Sequence, residues 1–133
     1  MLDGDLQIQD LEEAWNTRMK EYLEVTPSNP AEGVLQDVHW SMGGFGYFPT
    51  YLLGNLYGAQ IFHQVGKEFP DLEEKIAAGN LTPLREWLRE QIHRKGKTVS
   101  AQELIEQISG KPLNSDYFLD YLKHKFTPLY DLS

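Results

Sequence analysis

Apolar residues recur at spacings of three and four residues along most of the chain, the period of amphipathic α-helices. The first such segment follows Asp10, a residue type favoured at helix N-caps, and is predicted to end near Leu23. Pro27 and Pro30, with the polar residues between them, predict a loop directly after it. The apolar face of this first helix consists of Leu11, Ala14, Trp15, Met19 and Tyr22.

Five further helices are predicted downstream from their start and stop signals. Pro49 suits the first turn of a long helix that is expected to end near Phe69, ahead of Pro70. Ser100 and Glu103 fit a capping box at the start of a later helix. The helices after the long one are predicted over residues 71–78, 82–96, 100–110, and from residue 114 or 115 to a point before Pro128.

No run of alternating apolar and polar residues is long enough to predict a β-strand. The predicted fold class is therefore all-α, a helical bundle-like arrangement in a single domain over residues 1–133. A hydrophobic content of 41% with 24% charged residues is typical of a folded globular chain. The absence of cysteine from the sequence excludes disulfides and thiolate metal sites.

The net charge of −8 argues against nucleic acid and anionic membrane surfaces as partners. The chain starts with Asp3 and Asp5 where a secretory signal needs basic residues, so no export signal is predicted and a cytoplasmic location is compatible.

Charged residues are missing altogether from Val38 to Gly66. One interpretation is a central helix buried on all sides; the other is that the segment also lines a pocket, because its Tyr, His, Asn and Gln side chains need partners. Pro49 and several glycines argue against a membrane span. Gly54 and Gly58, four residues apart, would let a neighbouring helix approach closely.

The four histidines lack the spacing of a zinc site, so no metal ligand set is predicted on this chain. A group of neutral donors, His39, Tyr47 and Tyr51, surrounds the glycine-rich residues 43–46. Such donors stabilise the oxyanion that develops during acyl transfer.

Residues 33–40 match the pattern G-x-x-Q-D-x-H-W, which resembles a signature of the carboxypeptidase Taq family of zinc metallocarboxypeptidases. Further segments that resemble the family are residues 46–51, 53–57, 84–88 and 111–113. The resemblance implies an all-helical, cytoplasmic, commonly homodimeric enzyme that removes C-terminal residues from peptides. The family's H-E-x-x-H, H-P-F, D-x-R-x-T and I-R-x-x-A-D motifs are absent, so the chain resembles roughly the last quarter of such an enzyme. The zinc of the full-length enzyme would then be held by the missing N-terminal part, and the fragment alone is expected to be inactive.

By analogy with related zinc peptidases, His39 steadies the substrate carbonyl, Tyr51 donates a hydrogen bond to the oxyanion, and Tyr47 assists with the substrate's backbone or carboxylate. The candidate substrate-binding residues are Gln36, Asp37 and Trp40. Gln36 and Asp37 are also suited to capping a helix or orienting His39, and Trp40 to core packing.

A second hypothesis treats the chain as a free-standing helical interaction module without catalytic activity, which binds a partner through the uncharged segment. Under the first hypothesis the partners are the peptide substrate, the missing N-terminal part and, because exposed apolar surface favours self-association, further copies in a homo-oligomer.

Overall fold

The computed structural model describes residues 4–132, which leaves Asp3 of the acidic N-terminus outside the described residues. The chain divides into two compact units between Pro49 and Thr50. The described residues contain helices and no β-strand, which confirms the predicted all-α class. A single domain over the whole chain stays a prediction. The α-helices are α1 (Leu11–Leu23), α2 (Pro49–Glu68), α3 (Leu72–Ala77), α4 (Thr82–Gln91), α5 (Ala101–Ser109) and α6 (Asp116–Tyr130).

The first unit consists of α1 and four short 3-10 helices. α1 has the predicted bounds, but Asp10 makes no side-chain cap, because it is the last residue of a 3-10 helix and already has helical backbone angles. α1 packs against the 3-10 helix Val34–Gln36, in which Val34 is buried. The other 3-10 helices of this unit are Ile8–Asp10, Pro30–Glu32 and Val38–Met42.

α2 opens the second unit with the predicted bounds, but the prediction of a helix buried on all sides is wrong. Only Gln60 and Val65 of this helix are buried. Leu52 and Phe62 are each 53% exposed, because the described helices cover one side of α2 and leave other faces open. None of the helices formed by residues 4–132 is long and apolar enough to cross a lipid bilayer.

The predicted capping box at the start of α5 is confirmed. The Ser100 hydroxyl accepts a hydrogen bond from the Glu103 amide at 3.2 Å, and the Glu103 carboxylate accepts one from the Ser100 amide at 2.8 Å. Hydrogen bonds from the backbone and the hydroxyl of Ser100 hold the pKa of Glu103 below its ordinary value. Gly110 ends α5 in the left-handed conformation, with φ of +72°.

Two helix ends differ from the prediction. The segment predicted to continue to Gly96 is α-helical only to Gln91 and then becomes a 3-10 helix, His93–Lys95. α6 does not stop before Pro128 but continues through it to Tyr130. Pro128 cannot donate a hydrogen bond to the carbonyl four residues earlier, and only two residues of the helix follow it, so α6 ends within the same turn.

The buried amide of Gln60 joins α2 to the connection between α5 and α6. Its Nε2 donates to Ser109 Oγ at 2.8 Å and to the carbonyls of Pro112 at 3.1 Å and Lys111 at 3.3 Å. Its Oε1 accepts from the Asn114 amide at 3.0 Å. We call these contacts the Gln60 clamp. The buried apolar residues of the same unit are Val65, Leu72, Ile105 and Ile108.

Candidate functional site

Asp37 and His39 form a hydrogen-bonded pair at the start of the 3-10 helix Val38–Met42. Asp37 Oδ1 accepts from the His39 amide at 3.2 Å and lies 2.9 Å from His39 Nδ1. Asp37 is only 7% exposed, so this carboxylate is directed inward at its partner. One side chain therefore both caps the helix and orients the imidazole.

The Asp37 carboxylate also influences which ring nitrogen of His39 carries a proton. A carboxylate beside Nδ1 favours a proton on that nitrogen, and Nε2 is then an acceptor in the neutral ring and a donor in the imidazolium. An imidazole held in this way is able to accept a proton or a hydrogen bond at a defined position.

The glycine-rich loop after this helix folds back onto His39. The Gly44 amide donates to the His39 carbonyl at 2.8 Å, and a Cβ at Gly44 would lie 3.1 Å from that oxygen. Gly43 has a φ of +75°, which favours glycine. The loop brings the Tyr47 ring to 4.8 Å from the His39 ring, centroid to centroid. A close turn that favours glycine thus places a phenol ring beside the oriented imidazole.

Trp40 and Gln36 have structural partners within the first unit. Trp40 lies edge-to-face against Trp15, with centroids 6.5 Å apart, and stacks on Phe45 at 6.0 Å. Gln36 Nε2 donates to the carbonyl of Ala31. These contacts agree with the core-packing interpretation of Trp40; substrate roles for Trp40, Gln36 and Asp37 stay predictions.

Tyr51 is the one predicted site residue that belongs to the second unit. It lies in the first turn of α2 and is 55% exposed, and Tyr47 is similarly exposed at 51%. The remaining predicted residues all belong to the first unit, which brings Asp37, His39 and Tyr47 together, whereas Gln36 and Trp40 contact other residues.

Two aromatic residues beside this site were missed in the sequence. Phe45 stacks on Trp40, and the Phe48 ring lies 5.8 Å from that of His39. The alternation of glycine and aromatic residues from Gly44 to Phe48 could have predicted these contacts, because glycines in a loop allow the neighbouring large rings to pack closely against other side chains.

No three His, Asp or Glu side chains within residues 4–132 are grouped closely enough to hold a metal ion. The described residues therefore do not form a metal centre of their own.

Comparison with known proteins shows the family to which this all-helical chain belongs. The model of the carboxypeptidase Taq (M32) metallopeptidases matches residues 1–126. The chain therefore belongs to the carboxypeptidase Taq family.

Individual relatives agree with this assignment. The chain is 40% identical over 126 residues to thermostable carboxypeptidase 1 of Pyrococcus furiosus, covering 95% of this chain and 25% of the relative. It is 38% identical over 130 residues to carboxypeptidase 1 of Bacillus subtilis, covering 98% and 26%. The solved carboxypeptidase from Deinococcus radiodurans superposes with a TM-score of 0.93 at 35% identity, covering 98% of this chain and 27% of that one. The chain thus spans about a quarter of the length of the relatives it matches.

Proposed function

We propose that this chain supplies part of the active site of a metallocarboxypeptidase that releases C-terminal residues from peptides. The observation that carries the proposal is the Asp37–His39 pair inside the G-x-x-Q-D-x-H-W segment of a family match over residues 1–126. The rest of the enzyme, equivalent to three quarters of the relatives' length, holds the metal, which we propose is zinc. Peptide substrate, a cytoplasmic location and assembly into a homo-oligomer belong to the same proposal.

His39 positions the substrate in this scheme. Asp37 keeps the ring in one orientation and one tautomer, so the second nitrogen meets the scissile amide in a fixed direction. The Tyr47 ring packs beside the imidazole and limits its rotation, while the Tyr47 hydroxyl assists with the backbone or the carboxylate of the peptide.

Tyr51 stabilises the transition state. Its phenol donates a hydrogen bond to the oxygen that becomes negatively charged when the amide carbonyl is attacked, a contact stronger in the transition state than in the bound substrate. The position of Tyr51 in the first turn of a long helix gives the phenol a rigid support.

The test uses a chimera in which these 133 residues replace the matched segment of the Bacillus subtilis relative. Release of free amino acid from a blocked dipeptide is measured for the chimera, for Asp37→Ala and for Asp71→Ala as the matched control. Asp71 also precedes a helix, but it is exposed and pairs with Lys75 on the surface.

Asp37→Ala frees the imidazole, so turnover is expected to fall by about 10- to 100-fold, as for other residues that orient a functional histidine. Asp71→Ala retains the activity of the unmodified chimera. Equal activity in the two variants, with circular dichroism showing both folded, would remove His39 positioning from the proposal. A folded chimera that releases no amino acid would favour the interaction module.

A further inference from the structure

Residues 43–46 have the sequence Gly-Gly-Phe-Gly, so Phe45 alone gives this stretch of the glycine loop a side chain. Gly43 and Gly46 have φ of +75° and +76°, in the left-handed region that glycine enters freely. Glycine also loses more conformational freedom on folding than any other residue, so a loop of this composition needs a specific contact to keep one conformation. The Phe45 side chain supplies such a contact.

The Phe45 ring packs against the scaffold of the first unit. It stacks on Trp40, with centroids 6.0 Å apart and planes inclined by 22°. Trp40 in turn lies edge-to-face against Trp15 of α1, with centroids 6.5 Å apart. Both tryptophans are partly buried, whereas Phe45 is 46% exposed, so its ring lies at the edge of this aromatic cluster. Phe45 thereby connects the glycine loop to α1 through Trp40.

The same loop places Tyr47 against His39, with ring centroids 4.8 Å apart. The Gly44 amide donates to the His39 carbonyl at 2.8 Å, and the Tyr47 amide donates to the Gly44 carbonyl at 3.2 Å. The second hydrogen bond closes a tight turn with Phe45 and one glycine at its centre. The Phe45 and Tyr47 rings therefore extend from one turn, and they contact consecutive residues of the preceding 3-10 helix. Because the turn is tight, the position of one ring constrains that of the other.

We propose that Phe45 is a positioning residue of the reaction: by stacking on Trp40 it holds the glycine loop so that Tyr47 stays against His39. The inference rests on the proposed function, in which Tyr47 assists with the backbone or the carboxylate of the peptide. Loss of the Phe45 ring lets the loop sample other conformations. Misplacing a substrate-holding group by about 1 Å is able to cost up to about 100-fold in activity.

Nuclear magnetic resonance of the isolated 133-residue chain tests the position of Tyr47 without measuring activity. A neighbouring aromatic ring shifts the signals of the His39 ring protons, and these signals are identified by their loss in His39→Gln. Tyr47→Leu gives their position in the absence of the phenol ring. In Phe45→Ala the His39 signals are expected to move toward the Tyr47→Leu position. In Phe45→Tyr, which restores a ring, they are expected to keep the original position.

Met42→Ala is the matched control, because it truncates an apolar side chain just before the loop that is 76% exposed. It is expected to leave the His39 signals unchanged. Unchanged His39 signals in Phe45→Ala, with circular dichroism showing the variant folded, would overturn the proposal. If Phe45→Ala does not fold, Phe45→Leu takes its place: movement of the His39 signals toward the Tyr47→Leu position supports the proposal, and unchanged signals contradict it.

The double variant of Phe45→Ala and Tyr47→Leu tests whether Phe45 acts through Tyr47. Its His39 signals are expected at the position that Tyr47→Leu alone gives, since two residues that act through one contact are not additive. A further shift in the double variant would show that Phe45 affects His39 directly, and would overturn the route through Tyr47.

The chimera tests whether this placement matters for the reaction. Because Tyr47 is proposed to hold the bound peptide, Phe45→Ala is expected to raise KM about 10-fold with kcat within about threefold, whereas Phe45→Tyr and Met42→Ala keep the KM of the unmodified chimera. An unchanged KM in Phe45→Ala would overturn the positioning role and leave the proposed function standing. A folded chimera that releases no amino acid counts against the proposed function, and the His39 signals then support or contradict the placement of Tyr47 by themselves.

Discussion

Replacing Gln60 with methionine is expected to be the most destabilising polar-to-apolar change in α2. Methionine has a similar size and flexibility, so the substitution removes the polar atoms of the amide without opening a large cavity. Gln60 is fully buried, and three of its hydrogen bonds are 3.1 Å or shorter, to Ser109, Pro112 and Asn114. At about 1 kcal/mol net for each, the loss is about 3 kcal/mol of the free energy of unfolding.

The assay is urea unfolding followed by circular dichroism. With a slope of about 1.5 kcal/mol per molar urea, a loss of about 3 kcal/mol lowers the midpoint by about 2 M. Gln64→Met is the matched control: Gln64 lies one turn later on α2, is partly exposed, and makes no hydrogen bond through its side chain to another described residue. Its effect is expected to stay within about 0.5 kcal/mol.

Gln60→Glu tests whether the hydrogen bonds of the Gln60 clamp stabilise the fold in addition to the packing of the side chain. The carboxylate keeps the shape of the side chain but loses the two donor hydrogens of Nε2, and its burial raises the pKa of the introduced group. Because that pKa is higher in the folded than in the unfolded chain, the variant is expected to be most stable at acidic pH and to weaken as pH rises through neutrality. A midpoint for Gln60→Met equal to that of Gln64→Met would refute the clamp.

Two further predictions concern the ends of α5. Glu103→Gln keeps the capping box but removes its charge. Because the pKa of Glu103 is lowered in the folded chain, the original chain loses stability as pH falls through that pKa, and the variant is expected to lose less. Thermal unfolding at a series of acidic pH values measures the difference. An equal loss of stability at acidic pH in the original chain and in Glu103→Gln would count against a stabilising effect of the Glu103 charge. Gly110→Ala forces alanine to a φ of +72° and is expected to cost about 1 kcal/mol, whereas Gly66→Ala, on the open face of α2, is expected to gain about 0.5–1 kcal/mol. The same sign for both alanine variants in urea unfolding would contradict this account.

Local signals in the sequence were enough to predict most helix boundaries. Ser100, Glu103 and Gly110 define α5 through short-range hydrogen bonds and one backbone conformation, which do not depend on the rest of the fold. The end of α6 was predicted wrongly, because the loss of one amide donor at Pro128 does not stop the helix at once and two more residues remain helical.

The burial of α2 was not predictable in the same way. Its lack of charge predicts burial, but among the described residues of this helix only Gln60 and Val65 are buried. The Gln60 clamp was not predictable from local sequence, because the partners of Gln60 lie 49 to 54 residues away along the chain. The candidate site was partly predictable: Asp37 and His39 are only two residues apart in the sequence, whereas the approach of Tyr47 depends on the geometry of the glycine loop.

Turnover of Tyr51→Phe in the chimera tests most directly whether this chain supplies a transition-state contact to a carboxypeptidase. Phenylalanine keeps the ring and removes only the hydroxyl, so kcat is expected to fall by about 10²- to 10³-fold, equivalent to about 3–4 kcal/mol, with little change in KM or Tm. Tyr57→Phe, on the same helix, is the control and is expected to retain its activity. Near-normal turnover in Tyr51→Phe would contradict the assignment, and a large loss in Tyr47→Phe instead would transfer the role of oxyanion donor to Tyr47.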